Sequence, residues 1–223
     1  VEDTAIIAEE LGKAIVVEPF VSTVVVFGGL LSASTNEQVK EDVIPSIIEG
    51  ACLGAFAYAE QQSRYELTDV KTQATANGEG YVINGLKTVV QNAATANKII
   101  VSARTSGDQF DRAGISLFIV DADAPGVSLK SYKTMDGQSA ATVVFKDVAV
   151  TESQLLCDEG AGMDVVDQAM PYILLGLCAE ALGIMEVLNA TTVEYTKTRK
   201  QFDLPISSFQ VLQHRMVDTF MAY

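Results

Sequence analysis

Histidine is nearly absent from this 223-residue sequence, cysteine is scarce and positive charge is in short supply: one His, three Cys, and 15 Lys plus Arg against 29 Asp plus Glu. Each shortage excludes something. His214 stands alone, and no motif aims it at a serine, so a self-contained serine–histidine–acid hydrolase is excluded and a polar helix-face histidine is expected. Cys52, Cys157 and Cys178 are odd in number and widely separated, with no CxxC or histidine spacing. Neither a disulfide framework nor a zinc site is expected, and a reducing, cytoplasmic setting fits. A net charge of −14 repels a phosphate backbone over most of the surface, which argues against nucleic acid but not against a small anion held by a local cluster. Long apolar runs are lacking too. The stretch 15–31 is interrupted by Glu18, Pro19, Ser22 and a glycine pair, short of the roughly 20 residues a membrane helix needs. Neither a membrane span nor a signal peptide is expected.

What is present is 48% hydrophobic residues, enough for a substantial core in one large domain or two small ones. Residues 1–50 are helical in period, with Ile6, Ile7, Leu11 and Ala14 on one stripe and a second pattern over 38–48 before Gly50. Short alternating or apolar runs follow at 55–59, 81–83, 99–103, 115–120 and 142–148. Turn signals separate them at 77–80, Asn84-Gly85, 106–108 and 124–126, a spacing that predicts a β-barrel or sandwich. Helical period returns over 163–199 and again from Ser207 or Ser208 to the end. The expected fold class is α+β: a helical N-terminal part (1–50), a central β domain (51–155) and the start of a C-terminal helical bundle (156–223). With neither end capped, the chain reads as an internal piece of a longer protein, and its amphipathic ends need a partner or oligomer for burial.

Candidate chemistry is sparse. Gly78-Glu79-Gly80 and Gly160-Ala161-Gly162 lack the third glycine of a dinucleotide fingerprint and read as turns, the second also as a helix cap. A basic cluster is more informative: Lys197, Arg199 and Lys200 precede Gln201-Phe202, and a further helix carries Phe209, Gln210, Gln213 and Arg215. Arginine beside an aromatic and amides suits a pyrophosphate or adenine, while the alternative is cations that complement a helix C-terminus.

Several segments resemble, in order, those of the acyl-CoA dehydrogenases: Phe56-Ala57-Tyr58-Ala59-Glu60, Asn84-Gly85-Leu86-Lys87, Val101-Ser102-Ala103-Arg104-Thr105, Phe118-Ile119-Val120, Pro125-Gly126-Val127, Phe145-Lys146-Asp147-Val148, Glu159-Gly160-Ala161-Gly162 and Thr198-Arg199-Lys200-Gln201-Phe202. The likeness covers nearly the whole chain, and within the family is nearest to the small-subunit type of pimeloyl-CoA dehydrogenases. It implies an oligomeric flavoenzyme in which FAD takes a hydride from the β-carbon of an acyl-CoA, a glutamate takes the α-proton, and electrons leave to an electron-transferring flavoprotein. By the same resemblance, Phe56, Tyr58 and Ala59 lie along the flavin ring, with Ala59 where the family has threonine. Val89 and Gln91 stand where an aromatic and a Ser or Thr approach the ring. Thr68 matches a serine on the CoA side, and Arg199, Gln201, Phe202 and Gln210 match a stretch reaching the FAD of a neighbouring, homologous subunit.

Phe56 and Tyr58 share a strand face and are equally suited to filling a core, and a buried Gln91 needs a partner such as a flavin edge. The position of the family's base glutamate in some branches falls at Ile173, followed by Leu174 in place of arginine; in others it lies beyond Tyr223. Glu180 and Glu186 on the same helix are weak substitutes, and no catalytic base is assigned. Three readings follow: an FAD-dependent acyl-CoA dehydrogenase subunit, a non-catalytic partner completing a paired active subunit, and a flavin-free acyl- or protein-binding scaffold. A steroid side chain, a dicarboxylate and a simple fatty acyl group are all compatible substrates.

Overall fold

The computed structural model describes residues 1–223, which form two compact units: Val17–Ile173, and Val1–Val16 together with Leu174–Tyr223. Helices are α1 (Glu2–Lys13), α2 (Gly28–Ala33), α3 (Glu37–Ile48), α4 (Gly162–Thr198) and α5 (Gln210–Ala222). A π-helix, Val21–Phe27, runs directly into α2. Strands are β1 (Gly54–Ala57), β2 (Gln73–Ala76), β3 (Tyr81–Gln91), β4 (Lys98–Arg104), β5 (Ile115–Asp121), β6 (Val127–Lys133), β7 (Ser139–Val150), β8 (Lys200–Gln201) and β9 (Leu204–Pro205). The architecture is the α+β order expected: helices, one β domain, helices.

In the unit Val17–Ile173, seven strands make one curled sheet in the order β1-β4-β2-β3-β7-β6, with β5 on the other edge of β4. β1 and β2 share an edge of β4, both parallel to it, β1 along residues 98–101 and β2 at Arg104. Alternation decides which core each residue enters. On β4, Ile99, Val101 and Ala103 face a core inside the sheet, where they join Phe118, Val120, Val143, Phe145 and Val148. Ile100 faces the other way, with Ile115, Leu117 and Ile119 of β5, into a core built with Phe27, Leu30, Leu31, Val39, Met163, Val166 and Ile173. β4 and β5 are therefore buried on both faces, which is why they read as continuous apolar runs. β6 is an exposed edge, protected by Lys130 and Lys133.

One expectation needs correction here. Asn84-Gly85 is not a turn but lies within β3, where the register shifts opposite β7. The Asn84 amide donates to Asp147 Oδ1 at 3.1 Å and its oxygen accepts from the Asp147 N–H at 2.9 Å, so the pair locks a bulge rather than closing a hairpin. β2 and β6 fall outside the expected strand runs, since their alternation is weak: Ala74 is the one buried residue of β2, and β6 is mostly exposed. As the helical period of 1–50 predicts, Val21–Ala33 is helical, despite its glycines. Gly54 explains how this helix reaches β1: a Cβ there would fall inside the Phe27 ring, and Thr23 Oγ1 both donates to the Gly54 carbonyl and accepts from its N–H.

In the second unit, α1 meets α4 through small residues. Ala8 and Gly12 are the buried positions of α1, whereas Ile6, Ile7 and Ala14, expected to face inward, are exposed. The periodicity favoured the larger side chains, but close helix approach selects the smaller ones. Lys13 bonds Glu10 of its own helix at 2.8 Å and, across to α4, Glu186 at 3.1 Å, and these bonds raise its pKa. α4 is long and apolar enough, by length and composition, to cross a membrane, a feature the broken run 15–31 gave no hint of. Its apolar residues Met163, Val165, Val166, Ala169 and Ile173 serve the core of the first unit.

Candidate functional site

The end of β1 and the middle of β3 are joined by a polar hub. Lys87 sits on the inward parity of β3 with Tyr81 and Ile83 and is fully buried. Its ammonium donates to Glu60 Oε1 at 2.9 Å, Ser102 Oγ at 3.0 Å and the Tyr58 carbonyl at 3.2 Å. Glu60 accepts further bonds from the Lys71 and Thr72 N–H groups, each at 2.9 Å, and from the Gln62 amide. Burial works to raise the Glu60 pKa, but the Lys87 charge and these donors outweigh it and hold the carboxyl at about 2. Burial pushes Lys87 down, opposed in part by Glu60.

Stability therefore depends on pH in a defined window. The folded pKa of Glu60 lies below its ordinary value of 4.5, so its contribution is complete above about 4.5 and is lost as pH falls toward 2. Lys87, also depressed, adds no slope at acid pH because folded and unfolded chains are both protonated there. Acid melts of Glu60→Gln are expected to show a shallower decline between pH 4.5 and 2 than the parent. An unchanged slope would remove Glu60 from that role.

Next to Lys87, the Thr88 N–H donates to the Ala59 carbonyl at 2.8 Å, and Val89 follows at φ 52° where the register with β7 shifts. A β-branched residue in the left-handed region is strained, and at Val89 this strain falls beside the Tyr58–Ala59 segment. Tyr58 and Val89 are half-exposed, and Gln91 is exposed. Phe56 and Tyr58 stack tilted with centroids 5.2 Å apart, while Phe56 also packs partly on the helical core. The structure thus brings Tyr58 and Ala59 beside Val89. The argument from a buried Gln91 amide does not hold, since that side chain meets water.

Thr68 lies on a loop organised by Arg104. The Arg104 guanidinium is buried and donates to six backbone carbonyls, those of Thr68, Val70, Ser106, Gln109, Asp111 and Ala113, at 2.9–3.3 Å. Thr68 Oγ1 donates to Glu66 at 2.7 Å. Nearby, Thr72 Oγ1 is buried without a partner, packed where a Cβ on Gly85 would strike it. Thr72→Val keeps the shape and removes the orphan hydroxyl, so its denaturant midpoint is expected to be unchanged or raised, by up to about 1 kcal/mol.

Arg199, Gln201, Phe202 and Gln210 belong to the other unit. β8 and β9 form a hairpin whose two loop residues, Phe202 and Asp203, both have positive φ, 54° and 64°. This is a type I′ turn, and it sets the Phe202 ring outward at 86% exposure, perpendicular to the Phe209 ring with centroids 6.2 Å apart. The Arg199 carbonyl accepts from the Ile206 N–H at 2.8 Å, and its side chain is exposed beside the hairpin. His214 is exposed on α5. Ile173 is buried in the helical core and Leu174 is half-exposed. Glu186 is ion-paired with Lys13 at 3.1 Å. Cys157, a buried free thiol, is pushed up to about 11 by burial and by Asp158 and Asp164.

The family resemblance includes Lys87, Glu60, Ser102 and Arg104 only as parts of motifs and implies no role for them. The signal that marks Lys87 is parity, a charge at an inward position between apolar residues.

Residues 55–148 match the acyl-CoA dehydrogenase middle domain and residues 160–222 the C-terminal domain of the same family. An acyl-CoA dehydrogenase of Bacillus subtilis is 34% identical over 186 residues, covering 82% of this chain and 49% of that protein. Butyryl-CoA dehydrogenase from Megasphaera elsdenii superposes with a TM-score of 0.85 at 32% identity, covering 96% of this chain and 57% of that one. The FAD complex of PigA gives a TM-score of 0.88 at 26% identity, covering 98% and 59%. The chain spans about half the length of the curated relatives it matches.

Proposed function

Since the chain belongs to the acyl-CoA dehydrogenase family, we propose that it is part of an FAD-dependent subunit that oxidises an acyl-CoA to the 2,3-enoyl-CoA, with electrons passed to a flavoprotein acceptor. The observation that carries this reading is the face made by Tyr58, Ala59 and the strained Val89, backed by a buried ion pair. Its donor set suits a flavin: a half-exposed aromatic pair, an exposed carboxamide at Gln91 and backbone held out of regular pairing at a bulge. When bound, FAD supplies the hydride acceptor. Phe56 and Tyr58 then form an aromatic wall, Ala59 and Val89 contribute apolar contact, and Gln91 offers both a donor and an acceptor. Thr68 presents its hydroxyl on the CoA side. Arg199, Gln201, Phe202 and Gln210 reach the FAD of a homologous subunit, with Arg199 as the charge partner for a pyrophosphate. Free cysteines accord with a cytoplasmic setting.

One observation favours a second reading. Ile173 is buried and apolar where some branches of the family carry the base, so the chain serves equally as the non-catalytic partner in a hetero-oligomer, as the resemblance to the small-subunit type implies. A visible spectrum of the full-length protein, purified with and without a co-expressed homologous subunit and then bleached with a panel of acyl-CoAs, separates the readings. Flavin in the isolated protein, bleached by substrate, supports a self-sufficient dehydrogenase. Flavin only in the pair supports the partner role, in which case Arg199→Ala in the pair is expected to lower activity at least tenfold. Flavin in neither overturns both.

A further inference from the structure

The three acceptors of the Lys87 ammonium come from two separate pieces of chain: Tyr58 and Glu60 in the segment just beyond β1, and Ser102 on β4. Joining strands does not require this, because an apolar side chain of similar volume holds a sheet as well as a buried ion pair does. What a three-armed ammonium adds is direction. It fixes the Tyr58 carbonyl, and with the Thr88 N–H bonded to the Ala59 carbonyl one residue further on, two consecutive peptide groups of the loop are tied to two consecutive residues of β3. Val89 comes next, half-exposed and held at φ 52°, a conformation that such a side chain keeps only under constraint from both sides. On its far side the constraint is the buried Val90 and Asn92, whose amide donates to Ser22 Oγ at 2.9 Å.

We propose that Lys87, with Glu60 and Ser102, is a positioning element for the cofactor face: it holds Tyr58 and Ala59 in one register with the strained bulge at Val89, so that both meet the same planar ring. This rests on the flavin reading above, and none of the three residues touches the ring itself. A merely structural pair would alter stability and leave the bound cofactor's environment as it was.

The test uses the full-length protein with any subunit that co-purifies, loaded with FAD, and compares Lys87→Met and Ser102→Ala with Leu117→Ala, a cavity in the helical core of the same unit. Melting temperature, FAD dissociation constant and visible circular dichroism of the bound flavin are measured below the melting range. For Lys87→Met, the FAD dissociation constant is expected to rise at least tenfold with an altered flavin dichroism; for Ser102→Ala, which keeps the ion pair, two- to fivefold. Leu117→Ala is expected to melt lower yet bind FAD within twofold of the parent with the same dichroism. A Lys87→Met protein that loses stability but keeps the parent's FAD affinity and dichroism overturns the positioning role. Should Lys87→Met fail to fold, Ser102→Ala decides in the same way. A parent that takes up no FAD, measured first, overturns the flavin reading and this proposal with it; a parent that binds while the variants are unchanged overturns the proposal alone.

Discussion

Arg104→Met is expected to lower the unfolding free energy by about 3–5 kcal/mol, the largest single-site effect in the chain. The buried guanidinium spans two loops, taking the carbonyls of Thr68 and Val70 from one and those of Ser106, Gln109, Asp111 and Ala113 from the other. No carboxylate pairs with it directly, and burial lowers its pKa while Asp111 and Asp108 oppose that. Methionine fills much of the volume but removes the donor from six carbonyls, that of Val70 in a buried bond and the other five in part-buried ones, and each such loss carries a desolvation penalty. Arg104→Lys is expected to recover little, because a compact ammonium cannot reproduce a planar fork with five N–H groups. Chemical denaturation checks both, and a loss under 1 kcal/mol for Arg104→Met would show that the loops hold themselves. Since the Thr68 carbonyl is one of the six acceptors of this cage, the CoA-side role proposed for Thr68 predicts that the Lys variant weakens CoA-ester binding more than FAD binding.

Gly183→Ala is expected to destabilise the α1–α4 crossing by about 2 kcal/mol or more, in spite of the roughly 1 kcal/mol that alanine gains over glycine within a helix. A Cβ at Gly183 would overlap the Glu9 carbonyl and come 3.0 Å from the Lys13 nitrogen, and one at Gly12 would overlap the Glu180 carbonyl. These are backbone atoms, so no rotamer change relieves the clash. α1 must move, and the Lys13–Glu186 bond stretches with it. Limited proteolysis within residues 1–16 reads the displacement directly. A variant that melts higher than the parent would show that propensity outweighs packing at this crossing.

Much of the architecture was legible because β4 and β5 are buried on both faces and α3 and α4 carry a clear helical period. Asn36 caps α3 by accepting from the Val39 N–H at 3.2 Å, and Gly50 ends it at φ 73°. What the pattern missed lies where backbone geometry competes with composition. Asn84-Gly85 has the residues of a turn but is used in a bulge because Asp147 supplies a partner 63 positions away. Ile6 and Ile7 have the pattern of a buried stripe, yet Ala8 and Gly12 are what a close helix pair can accommodate. At the candidate site, the residues on the exposed face came from family likeness, while the charges behind them were visible only as a parity violation at Lys87. Strain at Val89 and the cage around Arg104 depend on contacts distant in sequence, which no local window contains.

The hub separates its charge pairing from its apolar cover along the sequence. Tyr58, Glu60, Lys87 and Ser102 all precede β7, whose residue Val143 lies opposite Lys87 in the register. Every acceptor of the ammonium therefore lies earlier in the chain than β7, so the stretch up to β4 carries the complete charge pairing of the hub within itself. What β7 adds is backbone pairing along the other edge of β3 and, through Val143, Phe145 and Val148, apolar cover on the same inner face.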